Sequence, residues 1–84
     1  MEKSKKFLEL LIPFLVKNED EIKIESRTDE LGVLITLKVS KEDMGNIIGK
    51  QGATAQALRT LLRIVGMSEK SRVNLKIEEP DEHN

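Results

Sequence analysis

With 84 residues the chain has the length of one small domain, which buries only about 60 to 65% of the surface its unfolded form exposes and leaves little room for a deep catalytic cleft. Hydrophobic residues at 38% and charged ones at 35% are enough for a single core. The absence of cysteine excludes a disulfide framework and a thiolate metal site, and a net charge of −1 argues against a generic polyanion binder.

From Ser4 to Asn18, Phe7, Leu8, Leu11, Ile12 and Leu15 follow helical spacing, while Leu10, Phe14 and Val16 widen the apolar surface beyond one face. Pro13 removes the hydrogen bond to the Glu9 carbonyl, so a kink or a break into two short helices is expected there. The apolar run Phe7 to Val16 is too short for a membrane span and no small-residue cleavage site follows it, so a cytoplasmic location is expected. The segment EIKIESR then alternates Ile22 and Ile24 against Lys23 and Glu25, as a half-buried strand does. After the turn TDELG, Val33, Ile35, Leu37 and Val39 share one face of a second strand, antiparallel to the first.

Ser40 opens an [ST]-x-x-[DE] capping pattern, which starts a short helix running to about Ile48 and stopped by Gly49. From Ala53 a longer helix places Ala55, Leu58, Leu62 and Val65 on one side and Gln56, Arg59, Thr60 and Arg63 on the other, with Gly66 expected as its C-terminal stop. The run SRVNLKI alternates Val73, Leu75 and Ile77 against Arg72, Asn74 and Lys76 as a third strand. Two crossover helices between the second and third strands favour a parallel, right-handed pair. The expected fold class is therefore α+β, a three-stranded mixed sheet packed against three helices, with one domain over residues 1–78 and an acidic disordered tail over residues 79–84. Residues 38–76 hold eight basic side chains against three acidic ones, while the rest of the chain is net acidic, a segregation that allows a local positive face, against the plainer reading of scattered solvated charge.

The glycines of GNIIGKQG raise a question of chemistry. A phosphate loop of the G-x-x-x-x-G-K-[ST] kind needs one more residue between its glycines, a hydroxyl after Lys50 and a strand before it, and a dinucleotide fingerprint needs a G-x-G. None of these is present. What remains is Gly49-Lys50-Gln51-Gly52, a turn between two helices whose glycines lack the Cβ atoms that would hold a ligand backbone at a distance. The following helix points its free N–H groups and positive dipole end at the same place, and Lys50 adds a charge, so a polyanion backbone fits better than a reacting phosphate. No carboxylate pair, Ser/His set or metal cluster has the spacing of an active site, so no catalysis and no cofactor are expected.

The run Ile47-Ile48-Gly49-Lys50-Gln51-Gly52-Ala53-Thr54-Ala55-Gln56-Ala57-Leu58 resembles the I-G-x-x-G signature of KH domains, and the element order resembles the type II form over nearly all of residues 5–78. In length and in the wording EDMGNIIGKQG the chain is similar to the small bacterial single-KH proteins of the KhpA type. The resemblance implies single-stranded RNA as the ligand, with Gly49, Lys50, Gln51 and Gly52 on about four nucleotides of backbone and Ile47, Ile48 and Ala55 lining an apolar groove under the bases; the plainer readings are that Lys50 and Gln51 are solvated turn residues and that Ile47 and Ile48 are both core, one of the two facing the groove being the better expectation. Ala55 stands where many KH domains have a larger aliphatic residue. Arg59 and Arg63 are second-rank candidates for reaching the RNA, against the plainer reading of a solvated face. The resemblance also implies a post-transcriptional regulator or RNA chaperone acting as a homodimer or with a second KH protein, for which Leu10, Phe14 and Val16 offer a face unless they complete the core. The rival is a KH-fold interaction module with weak or no RNA affinity.

Overall fold

Leu8 and Ile12, four residues apart, are fully buried, and they mark where the first helix gives way. A computed structural model describes residues 3–79. In it helix α1 spans Lys3–Leu11, and Pro13 sits inside a single 3-10 turn, Ile12–Phe14, that replaces further α-helix. The alternatives of kink and break resolve as a break, because the missing proline N–H cannot continue the i to i−4 ladder. Ile12 stays in line below Leu8 and keeps its place in the core.

A second 3-10 turn, Glu19–Glu21, leads into strand β1 (Lys23–Asp29), which pairs antiparallel with β2 (Gly32–Lys38). The two residues between them make a tight turn, and the Asp29 carboxylate accepts the Leu31 N–H at 2.8 Å. Gly32 has φ 128°, and a Cβ there would collide with the Arg72 carbonyl oxygen. This close approach seats the start of β2 against the start of β3 (Val73–Glu78), which runs parallel to β2. The strand order is β1-β2-β3.

Between β2 and β3 the chain makes a 3-10 turn, Lys41–Asp43, then helix α2 (Met44–Ile48), the loop Gly49–Gly52, and helix α3 (Ala53–Ser68). Helices and sheet enclose Leu8, Ile12, Ile35, Leu37, Val39, Ile47, Leu58, Leu62, Val73 and Leu75, and each fully buried aliphatic side chain contributes about 1.5–3 kcal/mol. Val16 packs against this core, so it completes the interior and offers no docking face, whereas Leu10 and Phe14 are exposed. The fold is α+β, a mixed three-stranded sheet with three helices.

Gly66, expected to stop α3, lies inside it. A Cβ there would come within 2.7 Å of both the Ser71 carbonyl oxygen and Val73 Cγ2, so this glycine lets β3 pass close to the helix. The reversal falls later. Lys70 takes the left-handed conformation (φ 57°), and the Gly66 carbonyl accepts the N–H groups of Glu69 and Ser71 at 3.0 and 2.8 Å. The acidic tail expected over 79–84, including Asp81, Glu82 and His83, lies outside the described residues from Pro80 onward. No helix among the described residues is long and apolar enough to cross a membrane.

Candidate nucleic-acid interface

Four residues turn the chain between α2 and α3, and three of them have positive φ: Gly49 at 76°, Gln51 at 54° and Gly52 at 78°. The glycines serve different ends. At Gly49 a Cβ would strike the Thr54 hydroxyl and lie 2.7 Å from the Thr54 nitrogen, so both conformation and space demand glycine. Gly52 meets nothing within 4 Å, so only its left-handed conformation favours glycine and the space above it stays open. Lys50 and Gln51 are exposed at the tip. The Gly52 N–H bonds to the Gly49 carbonyl at 3.2 Å, which closes the turn on itself. Gly52 is also the N-cap of the 16-residue α3, whose positive dipole end lies beside the loop, with the Ala53 N–H taken up by the Lys50 carbonyl.

The loop is held at its root by a carboxylate far from its tip. Asp43 is buried and accepts the Lys17 N–H at 2.9 Å through Oδ1. Its Oδ2 accepts the Asn18 N–H at 3.0 Å, the Asn18 side-chain amide at 3.1 Å and the Ser40 hydroxyl at 2.9 Å. Ser40 accepts the Asp43 N–H in return at 3.2 Å, so the expected capping pattern is built, although Asp43 also reaches across to the α1–β1 connection. The backbone bond from Lys17, with those from Asn18 and Ser40, outweighs desolvation and lowers the Asp43 carboxyl to about 2. This carboxylate fixes where α2 begins, and α2 is only five residues long before the loop.

The candidate groove residues divide. Ile47 has no exposed surface and Ala55 is only 4% exposed, so neither lines an open groove as expected. Ile47 falls one helical turn after buried Asp43, on the inward face of α2, and Ala55 shares the inward face of α3 with Leu58 and Leu62. Ile48, next round α2, is 40% exposed beside the loop. Arg59 is half-buried, and its Nε donates to the Leu75 carbonyl oxygen at 3.4 Å. Arg63 is exposed.

The open groove lies further along, between α3 and the free edge of β3, as a cleft of about 480 Å³ lined by Arg59, Arg63 and Met67 on one side and by the stretch from Ser71 to Leu75 on the other. The Val33 N–H bonds to the Arg72 carbonyl at 2.7 Å, which sets the phase of the parallel ladder. Arg72, Asn74 and Lys76 direct their backbone groups at β2, and Val73, Leu75 and Ile77 turn theirs to the free edge. Reasoning from sequence missed Arg72, Asn74 and Met67 as lining residues. The one signal for them is spacing: Gly52, Gln56, Arg59, Arg63 and Met67 succeed one another by three or four residues and so share a face of α3.

The chain matches the KhpA/KhpB KH-domain family over residues 5–77. It is 40% identical over 73 residues to the RNA-binding protein KhpA of Clostridium acetobutylicum, covering 87% of this chain and 97% of that protein. The RNA-binding protein KhpA of Aquifex aeolicus is 39% identical over 77 residues, covering 92% and 98%, and that of Borreliella burgdorferi is 39% identical over 70 residues, covering 83% and 85%. With its helix-strand-strand-helix-helix-strand order and the glycine loop between its second and third helices, the chain belongs to the KhpA/KhpB KH-domain family.

Proposed function

We propose that the chain binds single-stranded RNA without chemistry, clamping the sugar-phosphate backbone on Gly49, Lys50, Gln51 and Gly52 and turning the bases toward Ile48 and the α3–β3 cleft. The observation that carries this reading is the loop itself, with two glycines, three positive φ angles and an open approach over Gly52, set at the start of a long helix whose next polar positions are Gln56, Arg59 and Arg63. The relatives carry the name RNA-binding protein, and RNA as ligand goes with a cytoplasmic site of action as a post-transcriptional regulator or RNA chaperone. Binding of short random RNA pools at low and moderate salt tests it. The wild type binds and Lys50→Asp/Gln51→Asp does not; equal binding by the two sinks the loop assignment. Each phosphate contact adds about 0.7 to the log-log salt slope.

Association with a second KH chain, its own copy or another, is a further part of the proposal. Leu61 and Ile64 on α3 are exposed, as are Leu10 and Phe14 at the end of α1. On α3 they occupy neither the core face nor the line of Gln56, Arg59 and Arg63, so a partner seated there leaves the clamp open.

A further inference from the structure

β1 is the other edge of the sheet, and among the described residues no strand pairs with it on its outer side. Because the Val33 N–H is bonded to the Arg72 carbonyl, Val33, Ile35 and Leu37 direct their backbone groups at β3, and Leu34, Thr36 and Lys38 direct theirs at β1. The backbone groups of their partners Arg27, Glu25 and Lys23 are thereby taken up. Those of Ile24, Ser26 and Thr28 point out along the free edge, a template for another strand. The sequence of this strand, Lys23-Ile24-Glu25-Ser26-Arg27-Thr28-Asp29, is of opposite charge on the two sides of Ser26: Arg27 answers Glu25, and Asp29 answers Lys23. All but Ile24 are exposed, and Lys23, Glu25 and Arg27 have no ion pair among the described residues.

From this pattern we infer that β1 is a pairing surface for a second copy of this chain, the two β1 strands running antiparallel about a two-fold axis between their Ser26 residues. Ser26 then faces Ser26, and Ile24 faces Thr28, as hydrogen-bonded pairs whose backbone groups already point outward. Glu25 meets Arg27 and Lys23 meets Asp29 at the intervening positions, where side chains of facing strands stand closest. Charge sets the register. Moving the axis by one residue keeps the backbone pairing but sets Glu25 against Glu25 and Lys23 against Arg27, or Arg27 against Arg27 and Glu25 against Asp29, and like charges directly opposite are destabilising. The pairing joins two sheets into one of six strands with β3 outermost in each copy. It also brings the β1–β2 turn of one copy, with its exposed Leu31, alongside the groove of about 250 Å³ that Pro13, Ile22 and Ile24 help to line in the other. Seven residues of strand make a smaller contact than the roughly 1,000 Å² of a lasting interface, so the pairing is transient, and it uses none of the α3 face. It does not depend on the RNA-binding reading.

Disulfide trapping tests the pairing, since the chain has no cysteine of its own. Across the axis two Ser26 Cα atoms stand about 5.5 Å apart, within reach of a disulfide, while two Thr28 residues are displaced by about 13 Å along the strand. Under mild oxidation Ser26→Cys forms the covalent dimer about tenfold faster than Thr28→Cys, another exposed site on the same edge. Adding Arg27→Glu to Ser26→Cys sets like charges against each other on both sides of the axis and brings the rate down to that of Thr28→Cys. Adding Glu25→Arg as well reverses both pairs and restores the fast rate. All these positions are exposed, so the thermal midpoint stays put and reports any loss of fold. Equal rates for Ser26→Cys and Thr28→Cys overturn the inference, as does a charge-swapped chain that stays slow.

Discussion

Asp43 and Asn18 are joined twice, the Asn18 backbone N–H and its side-chain amide both donating to Oδ2, at 3.0 and 3.1 Å. The same asparagine amide reaches Ser40 and Glu42, so one side chain ties the α1–β1 connection to the root of α2. Because the Lys17 N–H, together with the Asn18 and Ser40 donors, favours the charged carboxylate against desolvation, Asp43 is lowered from 3.8 to about 2 in the folded protein. A depressed carboxyl adds stability above its unfolded value and gives it up as pH falls toward the folded one. Its contribution is therefore complete above about pH 4 and disappears as pH drops through about 2. Asp43→Asn turns an amide toward groups that all donate, so its thermal midpoint at pH 7 falls well below that of Glu25→Gln, an exposed strand position. Thermal melts from pH 2 to 7 check both points, and the variant's midpoint depends less on pH than the wild type's between 2 and 4.

Two helical glycines respond in opposite ways to alanine. Gly45 has nothing within 4 Å of where its Cβ would be, so Gly45→Ala raises stability by about 0.5–1 kcal/mol. Gly66→Ala forces a methyl into the Ser71 carbonyl and Val73 Cγ2 and lowers stability by about 1–3 kcal/mol despite alanine's better helix propensity. Urea unfolding at pH 7 reads the two signs directly.

Within the loop, stability and ligand access come apart at Gly52. Asparagine tolerates the left-handed conformation and meets no neighbour there, so Gly52→Asn changes unfolding free energy by about 1 kcal/mol or less. Its side chain stands in the approach to the loop, and RNA affinity in a fluorescence titration drops severalfold. Gly49→Asn is different, since its Cβ strikes Thr54, and the loss of fold stability is the larger of the two.

Self-association is read by sedimentation velocity over a range of concentrations. The wild type sediments increasingly as a dimer, and Leu61→Glu/Ile64→Glu remains a monomer with an unchanged thermal midpoint, because both positions are exposed in the single chain.

Periodicity alone carries most of the fold. Val33, Ile35 and Leu37 alternate as a strand over one core, Leu58 and Leu62 repeat as a helix over it, and the crossover between β2 and β3 favours their parallel pairing. Gly66 is not legible in the same way, because a glycine that ends a helix and one that lets a strand pass look alike until the strand's position is known. Ile47 and Ile48 are adjacent and equally apolar, and only the tilt of α2, fixed through Asp43, sends the first inward and the second out. Arg72 and Arg63 stand nine residues apart in sequence, with a helix end and a left-handed turn between them, so their convergence on one cleft belongs to tertiary structure.

Among the described residues β3 is the last strand in chain order, and it supplies one whole wall of the α3–β3 cleft. During synthesis the loop and the first turns of α3 leave the ribosome before that wall exists, and the parallel pairing that seats it waits for the residues past Val73. A nascent chain at that stage has a glycine turn with nothing opposite it. The α3–β3 cleft, where RNA is proposed to lie, is therefore complete only with the closing of the sheet.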